Sequence, residues 1–337
     1  MSSDAPFTAV QTEALDPAWF EVERSIVETA GGRVFVQRAA DQAERADLLR
    51  DAQCVLVGSA RIDEPLLSQL PNLELIIRYG VGLDSLDLPA ATAHGVVVAH
   101  YPDFCQPEVA NHAIGLLIAV ARKIVQHDAS IRAGAYRGVP LYVSPPLTNE
   151  TLGIVGLGNI GRQVAKRAQA MDMRVIAFDP YAADSAFAES GVERAPTLDA
   201  LLDEADHVSI HAPLTAETHH LFGREQFHRM KPTALLLNTA RGPIVEEAAL
   251  VEALREGWIA GAGLDVFEVE PVTAASPLLE FSNVVLTPHS AFYSEYSNRH
   301  IKERVGQTIV EFMNGKWPTV ATLPNRAEVQ PKRVLSD

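Results

Sequence analysis

Three polar side chains follow short apolar segments in the second half of the chain: Arg241, Glu270 and His289. Histidine ordinarily titrates near neutral pH, so His289 can take a proton from a substrate hydroxyl or return it to a keto oxygen. Glu270 would favour the charged imidazolium and fix the tautomer of its ring. Arg241 offers a planar fork of donors that suits a carboxylate and polarises a keto oxygen. This set predicts the interconversion of a 2-hydroxy acid and a 2-keto acid beside a hydride carrier.

Each of these residues also has a purely structural interpretation. An arginine near a turn commonly forms a surface ion pair, and the chain has 11 histidines, most of which must serve other ends. Glu268 and Glu270 can simply belong to a solvated acidic face. Position favours the chemical interpretation, because all three residues follow apolar strands downstream of a cofactor motif. His219 and His220 lack that placement, so we assign them no role.

The cofactor motif lies in residues 151–179, where an apolar strand leads into the sequence GLGNIG. Gly156 permits a tight turn, Gly158 lets the backbone approach a pyrophosphate, and Gly161 lets helix and strand pack closely. The start of the following helix offers N–H groups and a positive dipole to the phosphates. Asp179 ends the next strand and is placed to accept hydrogen bonds from the adenosine ribose. This succession predicts a Rossmann unit that binds a nicotinamide dinucleotide.

The charge of Asp179 also predicts which dinucleotide is bound. A carboxylate would repel the 2′-phosphate of NADP, and residues 180–184 contain no arginine to receive one, so we expect NAD. In an open parallel sheet, ligands lie beyond the carboxyl ends of the strands. The side chains expected to share a crevice with the nicotinamide are Arg241, Asp265, Glu270 and His289.

The elements that must position these residues form two series of alternating strands and helices, typical of parallel α/β units. The first series has predicted strands over 34–37, 54–58, 73–78 and 96–99 and helices over 43–52 and 64–70. The second has predicted strands over 152–156, 174–178, 207–211, 234–238, 261–265 and 284–287. Between them, residues 107–133 predict one long buried helix, and residues 134–150 predict a loop rich in Gly, Pro and Ser.

Residues 298–314 predict an amphipathic helix that starts no new strand–helix unit, so we expect it to return to the first series. The NAD-binding domain is then an insertion into the substrate domain. The predicted fold is α/β, with two Rossmann-like or flavodoxin-like domains. Residues 1–103 and 291–337 form the predicted substrate domain, and residues 104–290 form the NAD-binding Rossmann domain.

Composition excludes several classes of partner. The net charge of the 337 residues is −15, and such a surface repels phosphate backbones and anionic lipid, so we expect no nucleic-acid or membrane partner. No signal-peptide pattern and no membrane-spanning apolar run are visible. The two cysteines, Cys54 and Cys105, supply neither a disulfide framework nor a metal site. We therefore expect a cytoplasmic protein that binds no metal.

Six motifs mark the chain between residues 50 and 315. They are RYGVGLDSLDL (78–88), GIVGLGNIGRQVA (153–165), HAPLTAETHHL (211–221), LLLNTARGPIVEEAAL (235–250), GAGLDVFEVEP (261–271) and LTPHSA (286–291). Together they resemble the D-isomer-specific 2-hydroxyacid dehydrogenases. Residues 101–117 and 289–300 are most similar to the C-terminal-binding-protein branch, which includes NAD(H)-sensing corepressors beside bacterial enzymes. Phe292 stands where many members of that branch carry tryptophan, so no substrate is carried over from it.

The resemblance implies catalytic roles for Arg241, Glu270 and His289. It implies that the main chain of Val81 and Gly82 helps hold the carboxylate of a small anionic 2-keto or 2-hydroxy acid. It also implies a homodimer built on the cofactor domains and the helix over 107–133. The NAD contacts that it implies are Gly156, Gly158, Asn159, Ile160, Gly161, Asp179, Ala212, Pro213, Thr218, Thr239, Ala240, Arg241, Asp265 and His289.

Two functions follow from these observations. The first is an NAD-dependent dehydrogenase that acts on a small D-2-hydroxy acid. The alternative is an NAD(H)-regulated, corepressor-like binding protein without significant turnover, although no residues define the peptide-docking groove that it needs. The sequence does not name the acid: Tyr101, Phe104 and Phe292 suit an apolar tail, whereas Arg78 and His100 suit a polar one.

Overall fold

A computed structural model describes residues 6–13, 16–135 and 146–337 of the chain. These residues form two compact units, one of residues up to Cys105 with Ser294–Asp337 and the other of Gln106–Tyr293. The sequence predicts the boundaries at 103/104 and 290/291. Residues 136–145 of the predicted loop lie outside the described part of the chain.

The first unit contains a five-stranded parallel sheet. Its strands are β1 (Thr8–Gln11), β2 (Arg33–Val36), β3 (Cys54–Val57), β4 (Leu75–Arg78) and β5 (Val97–Ala99). Their order is β2-β1-β3-β4-β5, the arrangement of flavodoxin-like folds. Every residue of β3 and β5 is buried, as expected for parallel strands covered on both faces.

Aspartate side chains begin three helices of this unit. The helices are α1 (Glu21–Thr29), α2 (Gln42–Leu49), α3 (Glu64–Leu67) and α4 (Leu88–Ala93), preceded by a 3-10 helix at Pro17–Phe20. Asp41, Asp63 and Asp87 each accept a hydrogen bond from a main-chain N–H in the first turn of α2, α3 and α4. These caps satisfy donors that a helix leaves without partners, and so they fix where each helix begins.

The second unit contains a seven-stranded parallel sheet. Its strands are β6 (Thr151–Val155), β7 (Arg174–Phe178), β8 (Glu193–Arg194), β9 (His207–Ile210), β10 (Leu235–Asn238), β11 (Gly261–Leu264) and β12 (Val284–Leu286). Their order is β12-β11-β10-β9-β6-β7-β8. The succession reverses between β6 and β9, which creates the crevice where Rossmann proteins bind dinucleotides. Both units are α/β, so the predicted fold class is confirmed.

The helices of this unit include one break that the sequence did not reveal. They are α5 (Gln106–Ala121), α6 (Ile124–Arg132), α7 (Asn159–Gln169), α8 (Asp184–Ser190), α9 (Leu198–Glu204), α10 (Arg224–Arg229) and α11 (Glu247–Glu256), with 3-10 helices at Gly242–Ile244 and Pro277–Glu280. The prediction of one helix over 107–133 is wrong. Lys123 has a φ of 53°, in the left-handed region, and an L-residue there interrupts a right-handed helix.

Apolar side chains cover both faces of the second sheet. On one face, Leu116 and Val120 of α5 pack with Leu237 of β10. On the other face, Phe227 and Leu250 pack with Leu236. Neighbouring residues of β10 point to opposite faces, so this strand anchors both layers and carries Arg241 just beyond its end.

The last helix, α12 (Glu295–Met313), belongs to the first unit and packs on α1. Ser294 and Ser297 form a reciprocal capping box, so α12 begins earlier than the predicted 298. A β-carbon built on Gly306 would lie 3.0 Å from the side chain of Ile26, so the two helices approach closely there. Among the described residues, no helix is long and apolar enough to cross a membrane.

Candidate active site

The carboxyl ends of five strands in the second unit lie in register at one edge of the sheet. The terminal residues that pair with their neighbours are Val155, Ile210, Asn238, Leu264 and Leu286. The segments that follow therefore leave the sheet side by side. These segments carry the glycine motif, Arg241, Asp265 and His289, which the sequence analysis identified.

Two of the three glycines of the motif occupy positions that a larger residue could not fill without cost. Gly156 has a φ of 94°, and a β-carbon there would lie 2.6 Å from the main-chain nitrogen of Ala212. A β-carbon on Gly161 would lie 2.2 Å from the carbonyl oxygen of Gly156. Around Gly158, no other heavy atom lies within 4 Å of the β-carbon position, so this glycine borders open space.

That open space lies at the first turn of α7 and fits the pyrophosphate of a dinucleotide. Gly158 provides no side-chain cap for α7, and a helix N-terminus attracts anions through its N–H groups and its dipole. Asn159 is exposed and Ile160 is half-buried at this turn. At the same edge, the buried hydroxyl of Thr239 has no hydrogen-bond partner among the described residues, which a ligand group would supply.

Asp179 lies directly after β7 and is fixed beside the glycine motif. Its carboxylate accepts hydrogen bonds from the main-chain N–H groups of Leu157 at 2.8 Å and of Tyr181 at 2.9 Å. A third bond, from the N–H of Ala182, is 3.0 Å long. These bonds hold the carboxylate at the strand end, where ribose recognition requires it.

The guanidinium of Arg194 lies near Asp179. Arg194 was not singled out from the sequence. It donates to the carbonyl oxygen of Asp179 at 3.4 Å, pairs with Asp184 at 2.7 Å and lies 4.3 Å from the centre of the Phe187 ring. Arg194 belongs to β8, which pairs with β7 through Ala177. Only the pairing of the strands brings it here, because no motif spacing predicts it.

The loop after β9 is folded back on itself. The hydroxyl of Thr218 donates to the carbonyl oxygen of Pro213 at 2.6 Å. At the start of the loop, burial lowers the pKa of His211 to about 4, so its imidazole is neutral at pH 7. The Ser209 hydroxyl lies 2.8 Å from Nε2 of that ring. The His211 ring therefore brings no charge to the start of this loop.

Arg241 follows β10 in a segment that the Asn238 side chain and the loop at Phe267 hold in place. The side chain of Asn238 donates to the carbonyl oxygen of Arg241 at 2.9 Å and accepts from the N–H of Ala240 at 3.0 Å. Nη1 of Arg241 donates to the carbonyl oxygen of Ala240 at 2.7 Å. A β-carbon on Gly242 would lie 1.7 Å from the carbonyl oxygen of Phe267, so only glycine lets the two loops pack.

His289 and Glu270 lie in direct contact, as the sequence predicts. Nδ1 of His289 lies 2.8 Å from Oε2 of Glu270, and Oε1 of Glu270 accepts from the N–H of Phe267 at 3.0 Å. Burial acts to raise the pKa of the Glu270 carboxyl, but the hydrogen bond and charge of His289, with the charge of Arg241, hold it below its ordinary value. Glu270 is therefore ionised throughout the neutral range.

Asp265 fixes the loop that carries His289. It is 1% exposed. Its Oδ1 accepts hydrogen bonds from the Thr287 hydroxyl at 2.6 Å and the Ser290 N–H at 2.9 Å, and its Oδ2 accepts from the Ala291 N–H at 2.9 Å. Both carboxylate oxygens thus accept hydrogen bonds from this loop. Asp265, which the resemblance implies as a cofactor contact, therefore also positions the loop.

A further residue of this network, His112, was not singled out from the sequence. Its Nε2 lies 2.8 Å from Oγ1 of Thr287 and 3.6 Å from Oδ1 of Asp265. The only sequence signal was a polar residue within the apolar helix α5.

In the first unit, Val81 and Gly82 follow β4 in a tight bend. The N–H of Gly80 donates to the carbonyl oxygen of Arg78 at 2.9 Å. Nδ1 of His100 lies 3.1 Å from the carbonyl oxygen of Val81. Burial lowers the pKa of His100, so this bend is backed by a ring that is neutral at pH 7.

The fold and these groups define a class of protein. A reversed parallel sheet with the glycine motif and an acid after the second strand is the architecture of dinucleotide-binding domains. Beside them, His289 lies against the Glu270 carboxylate, and Arg241 supplies a cation at the same sheet edge. This combination is that of a nicotinamide-dependent oxidoreductase.

Comparison with known proteins identifies the family. Residues 114–291 match the model of the D-isomer specific 2-hydroxyacid dehydrogenase NAD-binding domain. The chain belongs to the D-isomer-specific 2-hydroxyacid dehydrogenase family, is an enzyme of that family and uses NAD. The similarity to the C-terminal-binding-protein branch stays a prediction.

Relatives with known names cover most of the chain. A glyoxylate reductase from Korarchaeum cryptofilum is 39% identical over 302 residues, which are 89% of this chain and 88% of that one. A D-3-phosphoglycerate dehydrogenase from Methanocaldococcus jannaschii is 37% identical over 87% of this chain but only 56% of that longer one. The crystal structure of D-lactate dehydrogenase from Aquifex aeolicus, complexed with NAD and lactic acid, has a TM-score of 0.82 and 28% identity, covering 91% of this chain and 96% of that one.

Proposed function

We propose that this protein transfers a hydride between NAD(H) and a small D-2-hydroxy or 2-keto acid. The observation that carries the proposal is the 2.8 Å contact between His289 and Glu270. This pair lies at the sheet edge that also presents Arg241 and the glycine motif. An acid–base pair, a carboxylate-binding cation and a dinucleotide cradle are the groups that this reaction requires.

His289 is the proposed acid and base. Because Nδ1 lies against the Glu270 carboxylate, Nδ1 carries a hydrogen and Nε2 is left to exchange a proton with the substrate. In reduction, protonated Nε2 donates to the keto oxygen, and in oxidation neutral Nε2 accepts the hydroxyl proton. Glu270, held ionised, stabilises the imidazolium and keeps the ring in one orientation.

Arg241 is the proposed partner of the substrate carboxylate, through its guanidinium donors. From the first unit, we propose the main-chain N–H groups of Val81 and Gly82 for the same carboxylate. When bound, NAD supplies the nicotinamide carbon that accepts or donates the hydride. The residues proposed to contact NAD are Gly156, Gly158, Asn159, Ile160, Gly161, Asp179, Ala212, Pro213, Thr218, Thr239, Ala240, Arg241, Asp265 and His289.

The proposed substrates follow from what the named relatives share. The names of those relatives contain glyoxylate, 3-phosphoglycerate and lactate. All three acids are small carboxylates with an oxygen at C2. They differ in the group attached beyond that carbon. We therefore propose a small acid of this type, with the tail as the variable part.

NADH oxidation followed at 340 nm tests the proposal. The panel contains glyoxylate, hydroxypyruvate, pyruvate, 2-ketoisocaproate and phenylpyruvate, with NADH binding measured in parallel. We expect turnover with at least one member. NADH binding without turnover on any of them would contradict the dehydrogenase and favour the NAD(H)-regulated binding protein.

A homodimer and a cytoplasmic location are also proposed. Ile124, Val125 and Ile131 on α6 are 49%, 49% and 52% exposed, and an apolar face of this kind is typical of a surface covered by another chain. Cys54 and Cys105 are buried and form no disulfide in the described chain, which suits a reducing compartment. Sedimentation of wild type and Ile131→Glu tests the dimer, which the substitution should dissociate.

A further inference from the structure

Three consecutive main-chain N–H groups in the first unit converge on one carboxylate. Gly58 donates to Oε2 of Glu13 at 2.5 Å, and Ser59 and Ala60 each donate to Oε1 at 2.6 Å. The Ser59 hydroxyl donates to Oε1 as well, at 3.0 Å. Successive N–H groups that point into one concavity form a nest, a recognised binding site for anions. We call residues 58–60 the anion nest.

The carboxylate in this nest comes from elsewhere in the fold. The anion nest follows β3, whereas Glu13 follows β1, and these strands are neighbours with Gln11 paired to Leu56. Glu13 therefore does not cap its own turn but fills a site that another loop builds.

The anion nest shares a sheet edge with the bend at Val81 and Gly82. Val57 pairs with Arg78 at the ends of β3 and β4, and the N–H of Tyr79 donates to the carbonyl oxygen of Val57 at 2.8 Å. The nest begins one residue after Val57, and Val81 and Gly82 lie three and four residues after Arg78. Groups that recognise a substrate carboxylate and groups that recognise an anion therefore lie on adjacent loops of one unit.

We propose that Glu13 is a specificity residue: it fills the anion nest and directs the enzyme to 2-keto acids whose tail is uncharged. This inference rests on the proposed function. A tail carrying a phosphate or second carboxylate would need the N–H donors that Glu13 already occupies, and it would meet a like charge. Arg61, next in the loop, is paired with Asp63 at 3.2 Å, so the Glu13 charge is not offset by that cation. A hydrogen, methyl or hydroxymethyl tail makes no such demand.

Hydroxypyruvate and 3-phosphohydroxypyruvate form a matched pair of probes, because they differ only in the phosphate. We expect wild type to have a kcat/KM at least about 100-fold higher for hydroxypyruvate, the equivalent of two charge-assisted hydrogen bonds. Glu13→Ala empties the nest and should move this ratio towards the phosphorylated acid by about tenfold or more, the equivalent of one such bond. Glu13→Gln keeps a hydrogen-bond acceptor but removes the charge, so it should shift the ratio of the two kcat/KM values less than Glu13→Ala does.

Glu28→Ala is the control, because Glu28 is exposed on α1 of the same unit and its loss changes the net charge equally. For this variant, the ratio of kcat/KM for hydroxypyruvate to that for 3-phosphohydroxypyruvate should stay within about twofold of wild type, as for ordinary surface substitutions. Equal losses on both acids in Glu13→Ala would overturn the proposal, because they would make Glu13 only a brace between two loops. Efficient turnover of 3-phosphohydroxypyruvate by wild type would overturn it as well.

Inorganic phosphate tests the anion nest without turnover. At constant ionic strength, and with saturating NADH to fill the anion site at the start of α7, added phosphate should raise the melting temperature of Glu13→Ala saturably and by more than that of wild type or Glu28→Ala. If no 2-keto acid is reduced, the proposed function fails while this measurement still decides whether the nest binds anions. Absence of any phosphate effect on Glu13→Ala would refute the anion nest even if the enzyme is active.

Discussion

The main-chain nitrogen of His289 donates a hydrogen bond to the carbonyl oxygen of Asp265, 2.8 Å away. The residue that supplies the proposed acid and base is thus tied directly to the end of β11. His289 has a φ of 52°, a conformation that non-glycine residues rarely adopt and that surrounding contacts must maintain. The Asp265 carboxylate supplies those contacts by accepting from both residues that follow His289.

Asp265→Asn should therefore impair catalysis more than cofactor binding. One of its oxygens becomes an amide that faces N–H donors, which costs about 1–3 kcal/mol for the unsatisfied group. We expect kcat to fall about tenfold or more, with the Kd for NADH within about threefold of wild type. Asp172→Asn, at an exposed turn of the same unit, is the control. A large rise in Kd at unchanged kcat would instead make Asp265 a cofactor contact alone.

Glu270→Gln tests whether catalysis needs the negative charge of this residue, because glutamine has nearly the same size and shape. The amide keeps a hydrogen-bond partner for Nδ1 of His289 but no longer stabilises the imidazolium. We expect kcat to fall about 100-fold, the usual scale of an acid–base contribution. Glu268→Gln is a matched control on the same loop, because Glu268 pairs with His220 at 2.8 Å rather than with His289. Similar losses in both variants would argue against a special role for Glu270.

Asp179→Ser should weaken the preference for NAD. The substitution removes the charge that opposes a 2′-phosphate. Arg194, which donates to the Asp179 carbonyl oxygen at 3.4 Å and pairs with Asp184, then lies beside the position without an opposing carboxylate at residue 179. We expect the ratio of kcat/KM for NADPH to that for NADH to rise about tenfold or more. Asp199→Ser removes the same charge from an exposed site on α9 and should not change this ratio. An unchanged ratio in Asp179→Ser would show that other groups select the cofactor.

Acid should destabilise the NAD-binding unit through His211. Burial lowers the pKa of this ring to about 4, whereas a histidine in the unfolded chain has a pKa of about 6.5. Below pH about 6.5 the unfolded chain protonates this histidine, whereas the folded chain keeps it neutral until about pH 4. The free energy of unfolding therefore falls as the pH drops through this range. The loss from this group amounts to at most about 3 kcal/mol.

Urea denaturation at pH 7, 6 and 5 measures that slope. His211→Gln should flatten it, whereas His219→Gln, on the exposed part of the same loop, should leave it as in wild type. Identical slopes in wild type and His211→Gln would show that other groups, such as the buried His100 and His207 whose pKa values burial also lowers, govern the acid response.

The sequence was sufficient wherever one local pattern determines the structure. The glycine motif needs only chain-local geometry. Arg241 and His289 each follow an apolar strand, so the sequence places both at the carboxyl edge of the sheet. The sequence was insufficient where the result depends on pairing between distant segments. Arg194 and Glu13 approach their partners only through neighbouring strands.

The break at Lys123 has a different cause. The apolar pattern of residues 107–133 continues across it, because periodicity reports which face is buried and not the φ of one residue. The role of Asp265 was hidden for a similar reason. An acid after a strand is compatible with a cofactor contact or with a loop anchor, and only its hydrogen bonds distinguish the two.

The proton-transfer role of His289 is tested most directly by the reduction of the best 2-keto acid at saturating NADH. The rate is compared between wild type and His289→Asn, whose amide cannot exchange a proton. We predict that kcat/KM falls by about 10³-fold, within the range of acid–base catalysis, while the Kd for NADH changes little. Activity within about threefold of wild type, with NADH still bound, would contradict the proposed mechanism at its centre.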